Sequence, residues 1–336
     1  NVCIELVVRD TVGIAAVASQ IVEDLVIKSH VIGILGPLLN KEALAAAEKA
    51  QELNVPLISL STSSADLTDN ADYIFRTALT AKAQARALAK HAFEELGMSR
   101  FALLYPQTSY ARAFIEAFWD EVDLRQGEIR GTESYEYDET TFREPVRKLV
   151  GRWYRTARQD YEDKIKEIRA LKLPAHRQRA AIEKFEKNLP PIVDFDAIVI
   201  PESAKRMGLI APALAFEDIV MTRDERELKR IKNATGYEEI HPVTLLGGST
   251  WNRSQLHRQC QRYCENSVFV DGYFSDNPAV HVRDFQAEFR ARFKKSPQLF
   301  HAQAFDSAGF VGQVLETLAP ADRDEFRRGL LRQKDY

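Results

Sequence analysis

The chain has 336 residues, 45% of them apolar and 28% charged, close to average globular usage, which excludes a disordered chain, a collagen-like chain and a disulfide-stapled miniprotein. Its 46 basic and 49 acidic side chains leave a formal charge of −3, without the basic surplus that phosphate neutralisation demands, so no nucleic-acid partner is expected. At about 150 residues per domain the length predicts two domains, and no apolar run reaches the roughly 18 residues of a transmembrane span.

The first hundred residues alternate strand and helix. Cys3 to Val8 is β-branched and apolar and predicts a strand. Thr11 to Val26 has helical apolar spacing, with Asp10 or Thr11 as N-cap. Val31 to Leu35 predicts a short buried strand ended by Gly36-Pro37, and Ala-rich Lys41 to Leu53 a helix. Leu57 to Leu60 is the next strand, followed by the polar run Ser61-Thr62-Ser63-Ser64. The pattern restarts near Arg76: helix Thr80 to Leu96 with Gly97 beyond its end, strand Phe101 to Tyr105, helix Tyr110 to Leu124, strand Gly131 to Tyr137, and a helix from Glu144 to Val150. Strands alternating with helices of 10 to 15 residues imply βαβ units and parallel sheets.

From Gly151 to Asn188 that rhythm stops. The stretch carries eleven Lys or Arg and six Asp or Glu, a local charge of +5 against −8 for the rest. Tyr161, Ile165, Ile168 and Leu171 share one helix face and Pro174 breaks the run, which predicts an antiparallel helical pair inserted into the second lobe. Two readings stay open: a solvated charged hairpin, or a docking element for an acidic partner or anionic headgroups. The strand rhythm returns at Ala197 to Ile200, with a helix over Ala204 to Phe216 that contains Pro212, strands at Val243 to Leu246 and Val268 to Val270, and helices over Val282 to Phe293 and Ala302 to Leu318.

No nucleotide-binding glycine motif, zinc-protease HExxH, GxSxG or CxxC occurs, so no catalytic residue, metal or cofactor is assigned and no enzyme is expected. Cys3, Cys260 and Cys264 make an odd count and read as small, inert side chains, since His257 near the latter two does not complete a zinc spacing. The recurrent feature is a set of strands that end in short polar loops: Gly36 to Asn40, Ser61 to Ser64, Gln107 to Tyr110, Pro201 to Ser203 and Gly247 to Thr250. Ligands of open parallel sheets sit beyond the carboxyl ends of the strands, and hydroxyls with free N–H groups at helix starts suit an anionic or zwitterionic group.

Those loops carry a resemblance. V-I-G-I-L-G-P (31–37), V-P-L-I-S-L-S-T-S-S (55–64), Y-I-F-R-T (73–77), A-L-L-Y-P-Q-T-S-Y-A-R (102–112), T-L-L-G-G-S-T-W-N (244–252), V-F-V-D-G-Y-F (268–274) and A-Q-A-F-D-S-A (302–308) follow one another as in type I periplasmic binding proteins of the leucine/isoleucine/valine-binding group. The resemblance implies an α/β architecture of two Rossmann-like lobes, each a parallel sheet flanked by helices. Lobe 1 would comprise 1–77 plus 275–320, and lobe 2 would comprise 78–274 plus 321–336 with the 151–190 helical insertion. The lobes would close by a hinge on a small polar, amino-acid-like ligand. By this resemblance Leu39, Asn40, Ser61, Thr62 and Ser63 supply hydroxyl and backbone groups, Tyr110 covers the ligand, and Ser249 with Thr250 lies where an acidic residue takes the ammonium. Ser249 carries no charge, and Glu202 is the neighbouring carboxylate that could substitute.

A narrower resemblance joins the basic insertion to L-P-P-I-V-D-F-D-A-I (189–198) and L-I-A-P-A-L-A-F-E-D-I (209–219), as in bacterial penicillin-binding protein activators, which are envelope lipoproteins. Two functions follow as expectations: a periplasmic or envelope-anchored solute-binding protein serving an ABC permease, or an envelope interaction protein acting on a cell-wall synthase. Asn1 in place of Met, and the absence of the family's opening strand, helix and final strand, read as a trimmed chain, and no targeting segment is there to read.

Overall fold

Short apolar runs alternating with amphipathic helices build two separate parallel sheets, one in each of two units. The structure is a computed structural model and describes residues 4–38, 40–60, 67–68, 71–237 and 239–332. One unit is Asn1–Thr80 with Asp271–Tyr336, the other Ala81–Val270.

The first unit opens with α1 (Ala15–Ile27), β1 (Ile34–Leu35), α2 (Asn40–Glu52), β2 (Leu57–Ser59) and β3 (Ile74–Arg76). The strands lie parallel in the order β1-β2-β3, with Ile34 opposite Leu57 and Ile58 opposite Phe75. Successive strand side chains point to opposite faces. Leu57 therefore packs with Val22 and Val26 of α1 and the alanines Ala43, Ala46 and Ala50 of α2, while Ile58 faces a second cluster.

Two expectations fail here. Residues 4–10 form no strand, and Leu6 and Val8 stand about four-fifths exposed. β-propensity is realised only against a neighbouring strand, and among the described residues none pairs with them. The cap of α1 is also neither Asp10 nor Thr11. The helix starts after Ile14, Asp10 accepts the Val12 N–H at 2.9 Å, and the Thr11 hydroxyl donates to Glu42 at 2.7 Å.

The second unit contains, in order, α3 (Ala81–Glu94), β4 (Arg100–Pro106), α4 (Ser109–Leu124), β5 (Glu128–Tyr135), α5 (Arg143–Leu149), α6 (Gln159–Ala170), α7 (Ala175–Lys187), β6 (Ala197–Val199), α8 (Ala204–Phe216), α9 (Glu225–Thr235), β7 (Thr244–Gly247), α10 (Ser254–Cys260) and β8 (Val268–Phe269). The sheet order is β5-β4-β6-β7-β8, all parallel. Both faces are covered, as parallel sheets require. Phe101 and Leu103 meet α3 and α4, whereas Ala102 and Leu104 meet α5 and α8. Asp196 ties the amino ends of β4 and β6, accepting from the Ser99 and Arg100 N–H groups at 3.1 and 3.0 Å and from the Arg100 guanidinium at 2.9 Å.

The insertion is the antiparallel pair α6–α7. Tyr161 at its start stacks on Phe185 near its end, with ring centroids 5.9 Å apart, and Ile165 and Ile168 are its buried residues on α6. Arg152 and Arg158 anchor its root by donating to the Leu189 and Pro190 carbonyls, each at 2.8 Å. α9 was not legible, because it is almost wholly polar and buries no residue; Asp224 caps its start and Gly236, at φ +74°, its end. Cys260 and Cys264 are not inert thiols but a disulfide, since the chain turns at the end of α10 and brings their Cα atoms to 5.7 Å, within the usual span of such a bond.

The chain then returns to the first unit with α11 (Val280–Phe293), α12 (Leu299–Leu318) and α13 (Arg323–Arg332). The sequence assigned 321–336 to the other lobe, and α13 corrects this. Its Phe326 and Leu330 join Ile58, Val314 and Leu315 in one cluster, and Arg323 donates to the Val31 and Val26 carbonyls at 2.9 and 3.1 Å. Gly33 permits the docking, because a Cβ there would fall 2.3 Å from the Phe326 ring. Among the described residues no helix is long and apolar enough to cross a membrane, and no cluster of His, Cys, Asp and Glu could hold a metal.

Candidate ligand-binding site

Because the second unit's strands are parallel, the loops after β4, β6 and β7 emerge at one edge of the sheet. After β4, Thr108 takes an extended conformation and accepts the Ala111 N–H at 3.2 Å, which starts α4 and sets Tyr110 on its first turn. After β7, Gly248 leads into a 3-10 turn over Ser249–Trp251.

A buried side chain joins these two loops. Gln84 of α3, 2% exposed, accepts through Oε1 from the Tyr110 hydroxyl at 3.1 Å and from the Ser249 N–H at 3.0 Å. Gly248 is needed between them, since a Cβ there would lie 2.6 Å from the Tyr110 hydroxyl. The Ser249 hydroxyl has no hydrogen-bond partner among the described residues, so this edge offers one uncommitted hydroxyl beside an aromatic ring.

The loop after β6 brings a second group together. Glu202, 6% exposed, accepts from the Tyr135 hydroxyl at 3.1 Å and the Ser203 N–H at 2.6 Å, and pairs with Arg206 at 3.0 Å. The Arg206 guanidinium lies over the Tyr135, Tyr137 and Phe142 rings and donates to the Tyr137 and Glu139 carbonyls. Burial, reinforced by the Glu202 charge, pushes the Tyr135 phenol far above its ordinary range, so it stays a neutral donor. The Thr250 hydroxyl donates to the Glu202 carbonyl at 2.7 Å, which links the β6 and β7 loops.

Of the residues named from sequence, the structure thus brings Tyr110 to Ser249 through Gln84, and Glu202 to Thr250. Leu39, Ser61, Thr62 and Ser63 lie outside the described residues, and Asn40 opens α2 in the other unit. Sequence reasoning missed Gln84, Tyr135 and Arg206. A signal existed for Gln84: it sits on the stripe formed by Ala81, Ala85, Leu88 and Ala92, a polar residue on a buried helix face, and such a group is hydrogen-bonded almost without exception. Tyr135 carries no such local mark, because Glu202 is 67 residues away; Arg206 did carry one, since it follows Glu202 by four residues, the spacing of a helical ion pair.

The family model described as periplasmic binding protein matches residues 1–151. No curated protein matches the chain in sequence. Among solved structures, the chain is similar to the branched-chain amino acid transporter substrate binding protein LivJ from Streptococcus pneumoniae in complex with isoleucine, at 21% identity and a TM-score of 0.63, covering 99% of this chain and 77% of that one. It is also similar to an ABC transporter substrate-binding protein from Desulfitobacterium hafniense in complex with Leu, at 18% identity and TM-score 0.59, covering 97% and 76% of the two chains. A solute binding protein of an ABC transporter from Rhodopseudomonas palustris BisB5, in complex with 3,4-dihydroxybenzoic acid, matches at 17% identity and TM-score 0.59, covering 96% and 72%. The chain therefore matches the periplasmic binding protein family over residues 1–151 and has the fold of the type I periplasmic binding proteins.

Proposed function

We propose that the chain is a non-enzymatic solute-binding protein of the bacterial periplasm or envelope surface, which takes a small polar, amino-acid-like molecule at the carboxyl-end loops of its sheets. The observation that carries this reading is the Tyr110–Gln84–Ser249 arrangement: one buried amide accepts from the Tyr110 hydroxyl and the Ser249 N–H, and the Ser249 hydroxyl stays uncommitted among the described residues. Small-molecule sites combine an apolar wall with a few fixed polar groups in this way. Tyr110 covers the ligand, Ser249 meets its polar end, and Thr250 with Glu202 holds the neighbouring loop. The family resemblance adds Leu39, Asn40, Ser61, Thr62 and Ser63 as further ligand-binding residues. The similar structures that hold isoleucine, leucine or a dihydroxybenzoate support both ligand size and polarity, and delivery to an ABC permease follows from the same reading.

The test is thermal unfolding with amino acids, nucleobases and small carboxylates, each far above its dissociation constant. A ligand at 100 times Kd stabilises by about 2.7 kcal/mol, and Ser249→Ala is expected to reduce the shift. If no member of the panel raises the melting temperature, the reading fails.

A second reading, an envelope protein acting on a cell-wall synthase, is favoured by α7, which buries none of its residues and exposes Arg177, Arg179 and Lys184. Reversing those three charges is expected to abolish capture of the synthase while leaving ligand binding intact; unchanged capture ends that reading.

A further inference from the structure

A cavity of about 670 Å³ lies between the root of the insertion and the ends of α8 and α9. α8 leaves the carboxyl end of β6 and runs back, so Glu217 and Asp218 at its end stand toward the sheet's amino edge. The cavity is therefore on the other side of the unit from Tyr110 and Ser249. Five cationic side chains wall it: Arg143, Arg147, Arg152, Arg155 and Lys187.

Four carboxylates answer four of them. Arg152, largely buried, meets Glu217 at 3.0 Å and Asp218 at 2.6 Å, and Arg143 shares Glu217 at 3.2 Å. Arg155 meets Glu186 at 3.5 Å, and Lys187 meets Glu183 at 2.8 Å. Arg147 has no carboxylate among the described residues. Its one side-chain hydrogen bond is long, 3.4 Å to the Arg152 carbonyl, and its Nε is buried without a partner. A buried donor left unpaired costs about 1–3 kcal/mol, more when charged, so such a group calls for a missing acceptor. Phe216, 68% exposed, forms an apolar shelf on the same wall under the Arg143 guanidinium.

We infer that this cavity binds a small organic molecule bearing one oxyanion, which completes the charge set at Arg147 while its apolar part lies on Phe216. The volume falls within the range of small-ligand sites, the lining is short of one negative charge, and guanidinium groups pair with oxyanions through two parallel donors. The inference stands apart from the ligand reading above, and failure of either leaves the other in place.

Phenyl sulfate, a mono-anion, is the probe and phenol its neutral counterpart, titrated calorimetrically into the full chain at low salt. One saturable site is expected, with phenol at least tenfold weaker. Arg147→Gln is expected to weaken phenyl sulfate at least tenfold, and Arg155→Gln, at the half-exposed rim, severalfold. Arg169→Gln, exposed on α6 outside the cavity, is expected to stay within twofold of the parent. Absence of saturable binding overturns the inference. So does an Arg169→Gln loss as large as that of Arg147→Gln, which would mean diffuse attraction to the insertion. Parental affinity in the Arg155→Gln protein overturns it even if the Arg147 variant fails to fold.

Discussion

Gly248→Ala tests the Tyr110–Gln84–Ser249 arrangement directly. Gly248 has φ −101° and ψ −174°, a conformation open to alanine, so backbone strain does not enter. The added Cβ would stand 2.6 Å from the Tyr110 hydroxyl, 3.0 Å from Gln84 Oε1 and 3.2 Å from the Phe114 ring. Ordinary contact lies nearer 3.5 Å, so the hydroxyl must retreat by roughly 1 Å, losing its 3.1 Å bond to Gln84. Overpacking of this kind costs about 1–3 kcal/mol, and Tyr110→Phe alone, which removes one hydrogen bond, about 0.5–1.5 kcal/mol. The double variant removes the atom that the methyl meets first, so it is expected to be no less stable than Tyr110→Phe. The assay is urea unfolding, read as midpoint shifts at constant slope. A favourable coupling of about 1 kcal/mol or more is the expected outcome of the double-mutant cycle. Simple additivity would refute the crowding argument and with it the placement of Tyr110 against the β7 loop.

The other two predictions concern paired charges. Glu202→Ala would strand Arg206 among three aromatic rings and leave the Tyr135 hydroxyl without its acceptor; a loss of about 3–5 kcal/mol in urea unfolding is expected, and a loss below about 1 kcal/mol would contradict the buried pairing. Burial works to raise the Asp196 carboxyl, but the Arg100 guanidinium and the Ser99 and Arg100 N–H groups outweigh it and hold the pKa below the ordinary 3.8. A depressed folded-state pKa gives stabilisation that is full above the unfolded value and fades as pH falls through the lower folded one. Asp196→Asn is therefore expected to be less stable than the parent at neutral pH, with the gap narrowing as pH falls below 3.8; a gap that does not narrow on acidification would refute the assignment.

Much of the architecture was legible because burial leaves a periodic trace. Phe101 and Leu103 alternate with Ala102 and Leu104, and the Ile165–Ile168 spacing marks one face of α6, so β4 and the inserted helix could be read locally. The polar loops after β4, β6 and β7 were readable for the same reason, since each follows a buried strand. α9 left no such trace, and Asp224 and Gly236 were its signals at either end.

Most of the order of strands and helices, the +5 insertion on a −8 body and the loops that hold Tyr110, Glu202, Ser249 and Thr250 were determined by the amino-acid sequence, because each depends on neighbours within one element. Only the tertiary structure decided which groups meet. Residues 4–8 have a strand's composition without a strand's partner, α13 belongs to the first unit because its Phe326 finds room over Gly33, and Cys260 reaches Cys264 because the helix ends between them. Gln84 under Tyr110, Tyr135 on Glu202 and Arg152 on Glu217 are long-range pairings too. Hydrogen bonds and ion pairs of that range act between atoms brought close by the fold, and local sequence patterns carry no record of distance across it.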